Sequence, residues 1–382
     1  MKKMLLVLMM ILWIPWNVQA AEEIKIDQEQ MNKVNGLYNY ISNMQNEYDL
    51  LRDMSPKEFV DAYMKDGQGA FKGKKLTTIA LTYIFKEVVA SFKIVGGLII
   101  IAVVCSLLNN LQSAFSNESI SNVAYFACYA VLITIIAKGF YVGVDLAHDV
   151  ILDISNFMAA LMPVLITLLA SMGSFTEAMV MDPIIMAACS IGANLYATVI
   201  IPMICMSFVL DFVNNISDRY NVDKLTDLIR KCALWSQGIL LTVFVGIITI
   251  RGITTSSLDL VTTKTAKYAV DSFIPVVGKT LSDAIATVAS YTMLLKSSVS
   301  VLGVIVLIGM VLVPVIKIVV MAFMYKLTAA LLQPVSDKKI TAVIDSAGGS
   351  LILLSTCLLS VTIMFFIMIT IIASTGKGLI LA

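Results

Sequence analysis

The sequence predicts an all-α fold: a polytopic helical membrane protein with a small N-terminal extracytoplasmic helical region. Three observations carry that reading. Hydrophobic residues make up 59% of the 382 and charged residues only 14%, against about a quarter charged in soluble chains, and mean hydropathy is +0.89. Most apolar residues fall in stretches near the roughly twenty that a helix needs to cross hydrocarbon. Ahead of them lies a polar interval with helical periodicity, itself preceded by a secretory leader. A net charge of +1, with no clustered basic surface, argues against nucleic acid as a partner; the partner that composition demands is the lipid bilayer.

The leader is residues 1–20. Lys2 and Lys3 supply a positive start, Met4 to Trp13 an apolar core, and Val18-Gln19-Ala20 a small-residue cleavage site before Ala21. An uncleaved signal anchor is the alternative, and either delivers residue 22 onward outside. Residues 21–93 form the extracytoplasmic amphipathic region; over 22–93 ten Lys/Arg nearly balance eleven Asp/Glu. Met31, Val34, Leu37, Ile41, Met44, Tyr48 and Leu51 repeat at three and four residues, which predicts a helix with a seam like that of a coiled coil. Ser55-Pro56-Lys57-Glu58 combines a capping box with proline at the first helical position, so a second helix starts there. Gly67, Gly69 and Gly73 end it, and Leu81, Ile84 and Val88 begin a third that runs toward the first span. These helices form either a small self-packed bundle, which would bury only a thin core, or a docking surface for an extracytoplasmic partner.

Residues 94–255 hold the first block of transmembrane helices. Spans are predicted over Ile94 to Leu111, Val123 to Val142 and Phe157 to Met172, with the acidic, lysine-free stretch Val144 to Asn156 as a loop between the second and third. Met179 to Val213 is too long for one upright crossing; Pro183, Gly192 and Pro202 offer break points, so it is a tilted helix, a broken one or a hairpin. Ala233 to Ile250 follows. Residues 256–298 are amphipathic, with Pro275 and Gly278 interrupting the helical pattern, which predicts short helices meeting at a bend or re-entrant turn. Residues 299–382 add the spans Val299 to Phe323 and Leu351 to Ala373 and a C-terminal tail. The count is seven spans with the N-terminus outside; a hairpin at Met179 to Val213 would flip everything beyond it, and the lysine distribution is split between the two.

Charges inside spans are candidates for function because burying one in hydrocarbon costs several kcal/mol unless it is paired or wetted. They are Lys138, Asp182, Asp211 and Lys317, with Arg251 beside them. Lys138 and Arg251 lie where they can snorkel, Asp182 precedes Pro183 as an N-cap would, and Asp211 with Lys317 forms a candidate polar pair near one membrane face. No catalytic or metal constellation is present: there is one histidine, no Gly-x-Ser-x-Gly, and Gly278-Lys279-Thr280 has Phe273 where a phosphate loop needs glycine. The expectation is no enzyme and no cofactor. Six cysteines and 22 methionines serve as apolar filler, and Gly96, Gly97, Gly303 and Gly309 suit close helix packing.

The leader, the helical exported region with its Ser-Pro start and Gly-rich end, and above all residues 269–284, Ala-Val-Asp-Ser-Phe-Ile-Pro-Val-Val-Gly-Lys-Thr-Leu-Ser-Asp-Ala, resemble the stage III sporulation protein AE family of endospore-forming Firmicutes. The resemblance covers essentially the whole chain; Lys279 departs from it where a second glycine is expected. It implies a permease-like subunit of the channel complex linking mother cell and forespore, multi-pass in the mother-cell membrane around the forespore. It also implies an oligomeric assembly with the other stage III A-operon membrane proteins, a secretion-type ATPase and a forespore partner. A purely structural scaffold is the alternative. Asp271, Phe273, Pro275, Gly278, Ser282 and Asp283 mark the candidate functional bend.

Overall fold

The computed structural model describes residues 28–52, 54–66, 73–114, 118–172, 187, 190–216, 222–273 and 278–375. Regular structure among them is helical throughout. The leader lies outside the described residues. Helix α1, Gln28–Met44, buries Val34, Leu37, Ile41 and Met44 along one stripe, the seam its spacing predicts. Helix α2, Pro56–Asp66, starts at the proposed cap, where the Glu58 N–H donates to Ser55 Oγ at 3.4 Å. Helix α3, Gly73–Ala114, runs without a break from the polar N-terminal region into the first span.

The two N-terminal helices are neither self-sufficient nor free. Their seam packs on the chain's own membrane helices: Gln30 and Lys33 reach Ser171 and Thr167, Tyr48 donates to Asp153, and Leu51 lies where a Cβ on Gly309 would come within 2.6 Å of its Cδ2. A thin core is stabilised here by borrowing the apolar flank of a larger one.

Helix α4, Glu118–Ser171, is continuous. This corrects the expected seven spans, because Val144 to Asn156 is helix rather than loop. Gly143, Ala147, Val150, Ile151 and Ile154 are buried at helical spacing, while Asp145, Asp149 and Asp153 occupy a neighbouring stripe four residues apart, so the acids decorate one face without interrupting the turn. Six helices among the described residues are long and apolar enough to cross a membrane: Leu81–Leu108, Ala127–Ser171, Ser190–Asn214, Asp223–Ile247, Thr287–Leu332 and Lys338–Ser374.

A π-helical turn, Tyr196–Ile200, leads into α5, Ile201–Ile216. The cause is local. Pro202 has no N–H for the carbonyl four residues back, and its ring crowds that carbonyl; the Ile201 N–H bonds Tyr196 O instead, which inserts one residue into the turn. Of the break points expected between Met179 and Val213, Pro202 is the one that acts within the described residues, and Pro183 lies outside them.

Helix α6, Asp223–Phe273, and helix α7, Gly278–Leu332, follow, and α8, Lys338–Ser374, closes the chain. The bend expected at Pro275 falls on residues 274–277, outside the described residues; the helices on either side of them are long, not the short ones expected. α4 and α7 run antiparallel. Leu161 sits against Gly303, and the Tyr325 hydroxyl lies over Gly139. α8 folds back on α7 through a short turn at residues 333–337, tied by Lys326 to Asp345 at 3.0 Å; a Cβ on Gly348 would come 3.0 Å from the Ala322 carbonyl. Gly303 and Gly309 thus serve close packing as expected, whereas nothing lies near Gly96 or Gly97. The Ala127–Ser171, Thr287–Leu332 and Lys338–Ser374 spans are each 56% buried in their most apolar window, and the α6 span only 17%.

A polar cavity at the midpoint of the long helices

Polar residues meet at one level of the α4/α7 pair. Asp149 is the midpoint of the Ala127–Ser171 span, and Gly309 lies at the middle of Thr287–Leu332. Each half of the Ala127–Ser171 span is therefore about 33 Å long at ~1.5 Å per residue, close to one hydrocarbon thickness. Around this level is a cavity of about 280 Å³ lined by Glu47, Tyr48, Asp49, Asp149, Asp153 and Lys317, with Leu146, Val150, Gly309, Val313 and Pro314 as its apolar wall. The turn after α1 supplies one side, α4 the second and α7 the third.

The sequence builds this level from three local features. Asp149 and Asp153 share a face of α4. Pro314 removes one bond from the α7 ladder beside the cavity and Gly309 lets Leu51 approach. The turn at residues 45–52 is fixed by its own hydrogen bonds, Tyr48 N–H to Met44 O and Leu51 N–H to Tyr48 O, which aim Tyr48 at Asp153, 2.6 Å away. Burial pushes the Tyr48 phenol well above the usual tyrosine range, and the hydrogen bond to Asp153 and the charges of Asp153, Glu47 and Asp149 push it the same way. The phenol therefore stays protonated and donates. Asp49 pairs with Arg52 at 3.1 Å and accepts from Tyr83. Even so, four carboxylates face one amine across the cavity, and Lys317 is half-buried. Such a concave, partly enclosed excess of negative charge concentrates cations.

Asp211 does not pair with Lys317. It lies near the end of α5, and its partner is Arg230 on α6 at 2.6 Å, with Ser346 of α8 donating to the same carboxylate; Arg230 also donates to Ser346 Oγ at 3.1 Å. One carboxylate thus ties three helices. The correction has a plain cause: the turn of α6 that carries Arg230 faces α5 directly, whereas Lys317 looks toward the N-terminal helices.

Of the other predicted residues, Lys138 is exposed on α4, consistent with snorkelling. Asp182 lies outside the described residues, as does Pro275. The backbone of Asp271 and Phe273 ends α6 and that of Gly278, Ser282 and Asp283 begins α7. The structure adds two residues that were not singled out. Arg230 stood in a segment that looked like a surface loop, and only its spacing from Asp211 across a short connection could have suggested it. Lys296 is 1% exposed and its ammonium donates to the Thr375 carbonyl at the end of α8, where the helix dipole favours a cation. Among the described residues no group of three or more His, Cys, Asp or Glu is placed to hold a metal ion. Cys105 and Cys357 are buried, but Cys232 is exposed.

Comparison with known proteins brings one family forward. The profile of stage III sporulation protein AE matches residues 54–376. The chain is similar to the stage III sporulation protein AE of Bacillus subtilis (strain 168), 35% identical over 312 residues, which covers 82% of this chain and 78% of that protein. No solved structure matches the chain.

Proposed function

The chain belongs to the stage III sporulation protein AE family and so has a role in sporulation; we propose that it is a non-enzymatic, permease-like membrane subunit of the channel complex linking mother cell and forespore. The observation that carries this reading is the carboxylate-lined cavity at the midpoint of α4 and α7. Helix pairs that exceed one bilayer thickness and hold polar groups halfway along give a solute or ion a wet station at the edge of the hydrocarbon. In this reading the N-terminal helices lie outside the mother-cell membrane and wall the cavity. The other stage III A-operon membrane proteins and a forespore partner assemble around the bundle.

The continuity of α4 supports one sidedness. With the N-terminus outside and each long helix crossing once, the end of α5, the start of α6 and the turn at 333–337 face the cytoplasm, and the end of α6 and the start of α7 face out. Lys224, Arg230, Lys231, Lys338 and Lys339 then sit near the cytoplasmic face, as the positive-inside tendency favours, and offer a surface for the secretion-type ATPase, while Arg251, Lys264, Lys267 and Lys279 fall on the outer side. Single cysteines at Ser217, Ser272, Ser282 and Ser336, in a chain stripped of its native thiols, test this. A membrane-impermeant maleimide should label positions 272 and 282 in intact cells and spare 217 and 336; the reverse labelling would refute the arrangement.

Lys317→Gln and Asp149→Asn test the function. Each should cut sporulation sharply with protein abundance unchanged, since each removes a charge that the pathway reading makes operative. Normal sporulation in both would end the pathway reading, and lost abundance would make the residues structural. A scaffold with no pathway of its own is the second reading. It is favoured by α6, whose span is 17% buried and so leaves most of a membrane helix open to neighbours, and by Asp211, which faces protein.

A further inference from the structure

We propose that Tyr196, Gln237 and Ser360 form a hydrogen-bonding station inside the bundle that holds a water molecule, with the Gln237 side-chain amide donating to it. The observation is an orphaned donor. Gln237 is 4% exposed, its Nε2 has no hydrogen-bond partner, and it lies near the middle of the Asp223–Ile247 span, as far from solvent as α6 allows.

The position is unusual for α6 itself. Within the Asp223–Ile247 span little is buried: Thr226, Ala233, Gln237 and Phe244 form its buried seam, at intervals of seven, four and seven residues. A leucine at 237 would fit a seam of this kind and bury apolar surface, yet an amide stands there. Leaving a buried amide unsatisfied costs about 1–3 kcal/mol, and native structures rarely keep such a group without a water, ion or functional reason.

The surroundings supply what a water needs, two to four polar partners in one place. Tyr196, fully buried, donates its hydroxyl to the Gln237 backbone carbonyl at 3.2 Å and also meets the Ser360 side chain of α8. Ser360 donates to Thr356 O at 2.8 Å, which leaves the lone pairs of its oxygen available as acceptors. Tyr196 opens the π-helical turn, the one place in this span where the backbone ladder is widened. A separate apolar cavity of about 320 Å³ is lined by Leu195, Leu240, Phe244 and Met364 among others; none of the three polar residues lines it, and an apolar cavity of this kind stays dry. The inference stands apart from the sporulation reading, since neither the cavity at Lys317 nor the family enters it.

The test is X-ray radiolytic footprinting of the purified full-length protein in detergent, in which hydroxyl radicals form from bound water and mark the side chains beside it. Tyr196 should be oxidised well above Phe157, an equally buried residue on α4. Gln237→Leu should bring Tyr196 down to the Phe157 level. Gln237→Met, an unbranched chain of similar size, should do the same without lowering the melting temperature, so that lost labelling is not lost fold. Background labelling of Tyr196 in the native protein, or labelling undiminished in Gln237→Met, overturns the proposal.

Discussion

The Lys317 cavity and the Asp211 pair both bring charge into the helical bundle, and they treat it in opposite ways. At Asp211 the charge is cancelled: Arg230 sits 2.6 Å away with Ser346 alongside, and the side chains are only 16% and 29% exposed. At Lys317 charge of one sign is gathered around space, four carboxylates to one amine. The two could not be told apart by their places in the hydrophobic pattern, since each stands toward the end of an apolar run. What separates them is the supply of partners from neighbouring helices. A closed pair specifies which helices touch; an open, unbalanced cavity retains electrostatic capacity for something that moves.

Breaking the pair should give the largest effect. Arg230→Ala strands the Asp211 carboxylate within the protein and should cost about 3 kcal/mol, the lower end for a buried pair because Arg230 keeps contact with solvent. The measurement is thermal unfolding in detergent together with abundance in cells. Replacing both partners, as Asp211→Leu with Arg230→Leu, should recover most of that loss, since apolar residues of similar volume are often as stable as the pair they replace. If the double variant is as unstable as the single one, the pair is more than a tie and the contrast with Lys317 weakens.

How legible each region was follows from the range of the interactions that define it. The α1 seam and the Ser55 cap depend on residues within a turn or two of one another, and both stood in the sequence. The continuity of α4 was also there to be found, because Asp145, Asp149 and Asp153 fall at intervals of four; polarity suggested a loop, and the buried stripe behind the acids decided for helix. The partner of Asp211 was not legible. Lys317 and Arg230 were both cations near its level, and only the packing of α5 against α6 and α8 selects between them. The same holds for the cavity, whose walls come from residues about a hundred positions apart or more along the chain, and for Lys296, whose burial depends on where α8 ends. The N-terminal helices illustrate the limit from the other side: their seam was plain, but that it closes on α4 and α7 is a property of the whole fold.

Removing the Tyr48 hydroxyl is a finer probe of the cavity. Its bond to Asp153, at 2.6 Å, ties the turn after α1 to the acidic stripe of α4, and Tyr48→Phe keeps the ring while deleting the donor. The expected loss is about 1.5–2 kcal/mol, the lower part of the range for a hydrogen bond to a charged group, smaller than at Arg230 because no charge is stranded. The pH dependence has a definite sign. The folded-state value of Tyr48 is raised above its ordinary tyrosine value, so its contribution is fully present below that ordinary value, roughly pH 10, and is lost as pH rises from there through the folded-state value. The native protein should therefore lose stability relative to Tyr48→Phe as pH climbs above about 10, and the two unfolding curves should converge. A gap that stays constant across that range would mean that the phenol does not keep its proton in the fold, and that the carboxylates around Lys317 do not act on it as the geometry requires.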